Sequence, residues 1–401
     1  MSRDGYTGFS RGEARTRTAR TLSFENVGPL GKLAKLPWGF VLLITAMALT
    51  GVAMLYSSTH TNPSEGNLWS LQLSRFGMSF VVMLGLALLP LSLWRTLALP
   101  AYAFTIVLLI LVEVMGVTGG GAQRWLQIGP VAVQPSEFAK LATTMALAWY
   151  YDRVIPPTSG RLLIHIGAVI IMLVPATLIF KQPDFGTTLA LVASGGVVIF
   201  LAGLSMRVIF AGIVAGIAAI PGVYFILADY QRERVDTFLA QLTGDSTNAL
   251  GESYQIEQGL IAIGGGGVNG KGWLQGIQSQ QDYVPEQHTD FILTVIGEEF
   301  GFIGTATLLL GFAVILGWAF YSAFQSQSWF GRLASAGAAA TVAFYIVFNV
   351  GMVIGLLPVV GMPLPLISYG GTAMLTTMAC FGLILAAHLH RDEKLSSTGL
   401  I

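Results

Sequence analysis

The sequence has few charged residues and almost no cysteine. Only 10% of its 401 residues are charged, whereas a soluble domain usually carries roughly a quarter. So few charges cannot solvate a globular surface of this size, which excludes an ordinary soluble fold and indicates that lipid surrounds most of the chain. The single cysteine, Cys380, excludes a disulfide framework and a cysteine-rich metal site. The net charge of zero gives no support for a nucleic-acid partner.

Apolar residues, by contrast, make up 54% of the chain, and 48 residues are glycine. Glycine is common where membrane helices pack closely. Because a membrane-crossing helix needs about 20 apolar residues, we predict an all-α polytopic membrane protein with about ten transmembrane helices. The predicted spans are 38–56, 76–95, 98–117, 135–151, 161–180, 185–204, 207–228, 291–322, 333–357 and 371–389. The eighth is longer than one crossing needs, so we expect it to tilt or to extend beyond the membrane.

The two ends of the chain predict its orientation. Residues 1–37 are polar and arginine-rich and lack the early apolar stretch of a signal peptide. We predict a disordered cytoplasmic tail there, ending in an interfacial stretch around residues 30–36. Lysine and arginine concentrate in this tail and in the loops on its side of the membrane, which the positive-inside rule assigns to the cytoplasm. We therefore predict a membrane domain over 38–390 with both termini inside, the second tail being 391–401.

The largest polar segment, residues 229–290, is predicted to lie outside the cytoplasm between spans seven and eight. Apolar residues between 256 and 263 recur at helical spacing and predict a short amphipathic helix, followed by glycine-rich turns. Irregular backbone at membrane depth is tolerated only when it is buried in protein or faces a water-filled cavity. We therefore expect a large polar cavity beneath this loop.

Ionisable residues at the mouth of a membrane protein are costly, and this makes them functional candidates. Pro135 can begin a helix, which sets Glu137 and Lys140 on one helix face. They are either an ion pair neutralised for burial or part of a cavity that positions Arg124 or a substrate phosphate. Arg124 and Trp125 are in turn either interfacial anchors or substrate contacts.

A second candidate cluster is the sharp turn around Pro183, which is flanked by Lys181 and Asp184. These two residues either form a salt bridge at the turn or contact a substrate. Lys181 and Arg124 together would stabilise a diphosphate leaving group, because negative charge develops there as the bond breaks.

Asp290 is the strongest candidate, because it stands where the polar loop meets the eighth span. A carboxylate at the border of a low-dielectric region suits a general base. The alternative is that Asp290 or Thr289 is the N-cap of the span. His288 is a further polar candidate, and no zinc-ligand spacing accompanies it. Glu298 and Glu299 lie about two turns further into the same span.

Two further polar clusters belong to the outer face. Glu252, Tyr254 and Gln255 lie in the outer loop just before the predicted amphipathic helix. Residues 361–371, rich in proline and glycine, form either a rigid helix-breaking turn or a surface on which Ser368 hydrogen-bonds a sugar.

Taken together, these stretches resemble the SEDS family of shape, elongation, division and sporulation proteins. The similarity rests on segments that occur in the family's order: Arg124-Trp125, 134–140 (QPSEFAK), 181–187 (KQPDFGT), 272–280 (GWLQGIQSQ), 285–291 (PEQHTDF) and 363–371 (PLPLISYGG). The sequence of residues 276–280 is most similar to that of the elongation members, although Ile277 stands where threonine is common.

The resemblance implies a GT-C-like peptidoglycan glycosyltransferase that polymerises lipid II on the outer face of the cytoplasmic membrane during cell elongation. It implies lipid II and nascent glycan as substrates, a class B penicillin-binding protein docked on the later spans, and support by a divalent cation, Mg²⁺ or Mn²⁺. The family's key acid matches Asp290, the expected base. The expected substrate contacts are Arg124, Trp125, Glu137, Lys140, Lys181, Asp184, Glu252, Tyr254, Gln255, His288, Thr289 and Ser368.

Two other functions stay open at this point. A transporter or lipid flippase would also need broken helices and buried charged pairs. A non-catalytic scaffold for wall assembly is the third possibility. The concentration of ionisable residues at the outer mouth, with few at mid-membrane, favours outward-facing chemistry.

Overall fold

The computed structural model describes residues 28–60, 66–119, 122–129, 131–154, 162–225 and 252–395, together with the single positions 232, 235, 236 and 240. Most of the tail predicted over 1–37, and the first part of the predicted outer loop, lie outside these residues. The helices are α1 (Pro29–Ala34), α2 (Trp38–Thr59), α3 (Leu68–Leu88), α4 (Leu91–Met115), α5 (Pro135–Val154), α6 (Leu162–Lys181), α7 (Phe185–Leu201), α8 (Met206–Tyr224), α9 (Glu252–Gly266), α10 (Ile277–Gln280), α11 (Ile292–Gln325), α12 (Trp329–Val353) and α13 (Gly371–Leu389).

Each predicted span overlaps a helix of at least 17 residues, which confirms the all-α membrane architecture. Among the described residues, seven helices are long and apolar enough to cross a membrane: α2, α3, α4, α6, α11, α12 and α13. Helix α5 is less apolar because charged residues lie near both of its ends, and α7 has only 17 residues. The structure adds α9 where a short amphipathic helix was predicted, and α1 where the tail was expected to end at the interface.

The second span was predicted eight residues too late, since α3 begins at Leu68 and not at residue 76. Its first two turns are polar on one side, including Gln72 and Arg75, and no continuous apolar run announces them. The helix ends before Pro90, which is the N-cap of α4. The apolar residues on both sides of Pro90 hid this boundary in the sequence.

A small antiparallel sheet between α4 and α5 was not predicted at all. Its strands are β1 (Val117–Gly119), β2 (Ala122–Ile128) and β3 (Val131–Val133), in the order β1-β2-β3. The alternation of apolar and polar residues is short, and glycines around the first turn obscure it. Arg124 and Trp125 lie on the middle strand of this sheet, and pairing with both neighbouring strands fixes the position of their backbone.

The eighth span, α11, is interrupted at Gly301, where the backbone adopts φ +63° and ψ −158°. This conformation is essentially restricted to glycine. The glycine-rich segment 267–272 lies against the break, and its backbone replaces the missing helical hydrogen bonds. Phe302 N donates to Gly267 O at 2.9 Å, and Lys271 N donates to Glu298 O at 3.0 Å. The unusual length of the predicted span therefore reflects two helical pieces joined by this exchange.

Helices α12 and α13 form the centre of the bundle, since most of their residues are buried inside it. The peripheral helices expose large apolar side chains such as Met78 and Phe104, as expected where lipid covers the surface. Helix α1 and the end of α13 meet at one end of the bundle, where Lys32 Nζ lies 3.3 Å from His390 Nε2. The long loops 267–291 and 354–370 lie at the other end.

Candidate functional site

The candidate site lies at the end of the bundle opposite Lys32 and His390, where the loop before α11 packs against the loop between α12 and α13. Tyr369 N donates to His288 O at 2.9 Å, which joins these two loops. Asn349, buried on α12, donates from Nδ2 both to Asp290 O at 2.7 Å and to Met362 O at 2.8 Å. Asn349 therefore fixes the backbone on which Asp290 stands.

The Asp290 side chain is half-buried and lies beside the Gly361 turn. A Cβ atom placed on Gly361 would be 3.4 Å from Asp290 Oδ2. The interpretation of Asp290 or Thr289 as a helix cap is wrong, because the N-cap of α11 is Phe291 and has no side-chain hydrogen bond. Thr289 Oγ1 donates instead to Glu286 Oε2 at 2.8 Å. The N-cap position of α11 is thus occupied by Phe291 and not by Asp290 or Thr289.

Arg75 is a neighbour of this site that the sequence did not single out as a candidate. Its guanidinium carbon lies 4.5 Å from the centre of the Tyr369 ring, and Tyr369 also contacts the His288 ring. The same helix supplies Gln72, whose Nε2 donates to Ser368 O at 2.9 Å. The polar face of the first two turns of α3 was the available signal for this placement.

Glu137 and Lys140 form a closed, buried ion pair. Lys140 Nζ lies 2.7 Å from Glu137 Oε1, Tyr345 OH donates to the same oxygen at 2.6 Å, and the Lys140 side chain has no exposed surface. Lys140 Nζ also sits 4.1 Å from the centre of the Tyr345 ring. The structure therefore favours a pair neutralised for burial, joining α5 to α12, over direct contact of Lys140 with a phosphate.

The turn between α6 and α7 separates Lys181 from Asp184. Asp184 is 4% exposed and is the N-cap of α7, with Oδ1 accepting from Thr187 N at 3.1 Å. Its Oδ2 accepts from Gln134 Nε2 at 3.0 Å. The proposed salt bridge within the turn is wrong, since Lys181 Nζ instead lies 3.9 Å from Glu113 Oε1. A substrate role for Asp184 does not fit its burial.

Arg124, on strand β2, is hydrogen-bonded to the backbone of the same turn. Its Nε and Nη2 donate to Gln182 O at 3.3 Å and to Pro183 O at 2.5 Å. The side chain is half-buried, and so is Trp125, which pairs with Val117 across the sheet. Arg124 and the largely exposed side chain of Lys181 therefore belong to one cationic region at this end of the bundle.

This cationic region and Asp290 lie on two sides of the segment 360–362. A Cβ atom on Gly186, just after the Asp184 cap, would be 2.8 Å from Val360 O. Gly361, the next residue, faces Asp290. The segment 360–362 thus lies between Asp290, which could take a proton, and the cationic region, which could hold a phosphate.

The remaining predicted contacts divide into two groups. Tyr254 and Gln255 are half-buried at the start of α9, while the side chain of Glu252 lies outside the described part of the structure. Ser368 is 4% exposed, and its Oγ accepts from Leu364 N at 2.8 Å. The rigid-turn interpretation of 361–371 therefore fits better than a sugar contact through Ser368.

The large polar cavity expected beneath the outer loop stays a prediction. A small cavity lined by Pro363, Ser368 and Thr377 among others has a volume of about 10 Å³, room for roughly one water molecule. No group of three or more His, Cys, Asp or Glu side chains among the described residues could hold a metal ion. Support by a divalent cation therefore stays a prediction.

Known proteins resemble the chain along most of its length. Residues 34–393 match the family model of the cell cycle proteins FtsW, RodA and SpoVE. The peptidoglycan glycosyltransferase MrdB of Escherichia coli K12 is 39% identical over 360 residues, covering 88% of this chain and 95% of MrdB. A probable peptidoglycan glycosyltransferase FtsW of Trichlorobacter lovleyi is 33% identical over 361 residues, covering 87% of this chain and 92% of its own length.

Two solved structures extend the likeness to the fold. A chain from a peptidoglycan synthase complex, described for its coordination of polymerisation and crosslinking, superposes with a TM-score of 0.75 at 31% identity. The rod-shape-determining protein RodA of Thermus thermophilus gives a TM-score of 0.66 at 28% identity. Each match covers 89% of this chain and 98% of the other.

Proposed function

The chain belongs to the SEDS family of FtsW, RodA and SpoVE cell cycle proteins, and from this premise we propose how its outer end carries out glycosyl transfer. It is a peptidoglycan glycosyltransferase and a multi-pass protein of the inner membrane. Our proposal concerns its substrate, orientation, site residues and partner.

We propose that both termini are cytoplasmic and that the Asp290 end faces outward. Support comes from the concentration of lysine and arginine on the side of the termini, and from the contact between Lys32 and His390 at the opposite end of the bundle. The outward end would then receive lipid II, whose sugar and diphosphate project from the outer leaflet.

The proposed reaction is an inverting transfer from a lipid diphosphate donor to a lipid II acceptor. Asp290 takes the proton from the acceptor sugar hydroxyl, whose oxygen attacks the donor anomeric carbon. The bond from that carbon to the diphosphate oxygen breaks, and the lipid diphosphate leaves as an anion. The observation that carries this proposal is the half-buried Asp290 carboxylate, held by Asn349 through its main chain and not used as a helix cap.

Cations near this carboxylate would stabilise the leaving diphosphate. The candidates are Arg124 and Lys181 on one side of segment 360–362, and Arg75 with His288 on the other side. Trp125 and Tyr254, both half-buried, together with Gln255 and Thr289, are proposed contacts for sugar or lipid. Glu137 and Lys140 are proposed to act indirectly, by fixing α5 against α12.

For the partner, we propose a class B penicillin-binding protein that crosslinks the product. An apolar groove of about 460 Å³ runs between α11 and α12 and is lined by Leu309, Ile346, Val347 and Val350. A single apolar helix of the partner would fill this groove on the later spans.

The test is polymerisation of labelled lipid II by the purified protein with its transpeptidase partner. The parent should make long glycan strands, whereas Asp290→Asn and Asp290→Ala should not, with expression, thermal stability and complex formation unchanged. An Asp290→Ala protein that polymerises at the parental rate would refute the base assignment.

The interrupted helix α11 is the observation that favours the alternative, a flippase for lipid-linked precursors, because transporters are also built with broken helices. Movement of lipid II across vesicles without strand formation would support that alternative. Strand formation by protein supplied with lipid II on the outer face alone would contradict it.

A further inference from the structure

Two adjacent carboxylates in α11, Glu298 and Glu299, are completely buried and take no part in the proposed chemistry. A buried carboxylate is costly unless it is paired and hydrogen-bonded. Their partners lie in different elements. Glu299 Oε1 accepts a short hydrogen bond from Ser57 Oγ on α2, whereas Glu298 is bound by the loop that leads to Asp290.

Glu298 gathers three donors from that loop. Its Oε1 accepts from Lys271 Nζ at 2.7 Å and from Gln278 N at 2.9 Å, and its Oε2 accepts from Ser279 N at 3.0 Å. A Cβ atom on Gly276 would lie 2.7 Å from Oε2, so the chain approaches the carboxylate as closely as it can. Charge-assisted bonds of this kind are the stronger ones in proteins.

Gln287 joins Ser279 to the segment that carries Asp290. Gln287 is 3% exposed, and its Nε2 donates to Ser279 O at 3.0 Å and to Asp282 Oδ1 at 2.7 Å. Gln287 stands three residues before Asp290. The backbone of Ser279 is therefore bound on one side by Glu298 and on the other by the segment that carries Asp290.

The break at Gly301 makes Glu298 a suitable anchor for this connection. The piece of α11 that carries Glu298 begins at Ile292, two residues after Asp290, and ends at the break. Its freed carbonyls at Glu298 and Glu299 accept from Lys271 N and Gly272 N at 3.0 and 2.9 Å. Both ends of the Asp290 loop are thus attached to this one short helical piece.

We propose that Glu298 is a positioning residue for Asp290, acting through Ser279 and Gln287. The inference rests on the proposed role of Asp290 as the base. Because a base must lie within hydrogen-bond reach of the proton that it takes, a small shift of its loop lowers the rate of transfer. Binding of the diphosphates at Arg124, Lys181 and Arg75 does not depend on this connection.

The experiment measures kcat, KM and thermal stability for the complex with its penicillin-binding protein partner, using labelled lipid II. Glu298→Gln and Gln287→Ala should each lower kcat by on the order of 10- to 100-fold, with KM changed by less than about twofold. The kcat of the double variant should be no lower than that of the less active single variant, because both substitutions act on one connection.

A matched control is available at the cytoplasmic end of the bundle. Arg95 Nη2 and Asp152 Oδ2 form a buried pair 2.6 Å apart, with both side chains 8% exposed. Asp152→Asn should lower thermal stability while the folded protein keeps the parental kcat. A merely structural role for Glu298 predicts the same behaviour for Glu298→Gln, and that result would overturn the inference.

Asp290→Asn in the same assay separates the two proposals. An inactive Asp290→Asn beside a fully active Glu298→Gln would overturn the positioning role alone. Parental kcat in Asp290→Asn would instead overturn the proposed function. Losses that multiply in the Glu298→Gln, Gln287→Ala double variant would also count against a shared connection.

Discussion

The break in α11 gives a sharp test of the fold, through the substitution Gly301→Ala. The backbone of Gly301 has φ +63°, and a Cβ atom there would lie 2.4 Å from Gly270 N and 2.7 Å from Val268 O. Both contacts are with backbone, which cannot swing aside as a flexible side chain would. Alanine therefore either strains the break or displaces the segment 267–272.

The loss of stability expected for Gly301→Ala has two contributions. Holding a residue other than glycine in this conformation costs about 1–3 kcal/mol. Backbone hydrogen bonds contribute about 0.5–1.5 kcal/mol each, so losing two of the bonds between 267–272 and α11 would cost about 1–3 kcal/mol more. The expected destabilisation is about 2–6 kcal/mol, a large part of the 5–15 kcal/mol that stabilises a typical protein.

The assay is thermal unfolding in detergent, followed by size-exclusion chromatography, with Gly317→Ala as the matched control in the same helix. A Cβ atom on Gly317 meets no atom within 4 Å, and alanine in a helix interior is favoured over glycine by about 0.5–1 kcal/mol. The control should be as stable as the parent or more so. Equal stability of the two variants would refute the argument that the 267–272 segment requires glycine at the break.

Three further predictions concern the outer end. Glu137→Gln should destabilise the protein by about 3–5 kcal/mol by leaving Lys140 buried without its partner, and adding Lys140→Met should restore part of this in the same unfolding assay; no recovery would contradict the pairing. Asp184→Ala should cost about 1 kcal/mol relative to Asp184→Asn, because asparagine keeps a capping oxygen; equal melting temperatures would count against the cap. Lys181→Met should raise KM for lipid II by about tenfold, the value of one charged hydrogen bond to phosphate, without changing thermal stability, since Lys181 is largely exposed; an unchanged KM would remove Lys181 from the site.

The helices were predictable because lipid imposes a strong and local rule on the sequence. A crossing segment must be apolar over its whole length, so even α12 and α13, buried in protein, resemble those that face lipid. Boundaries were less predictable where a polar stretch continued a helix, as at Gln72 and Arg75, or where apolar residues ran through a break, as around Pro90.

The candidate site was predictable in its residues but not in their roles. Asp290 was identified by its position between a polar loop and an apolar span, which is a local property. The roles of Lys140 and Asp184 depend on partners far away in sequence: Tyr345 lies on α12, and Gln134 precedes α5. Residue type and spacing cannot distinguish a buried pair from an exposed one when the covering helix is two hundred residues away.

Because α11 is interrupted, the loop 267–291 and this membrane helix form one structural unit. Backbone groups at membrane depth must be paired within the protein, and at Gly301 that pairing comes from 267–272 and not from α11 itself. The loop is therefore part of the span, and any change that lets α11 close into a continuous helix must release 267–272. Since Lys271 lies in this segment, it would then leave Glu298, and the support of Asp290 would weaken at the same step. Substitutions along this segment should thus abolish glycosyl transfer at temperatures where the rest of the bundle is still folded.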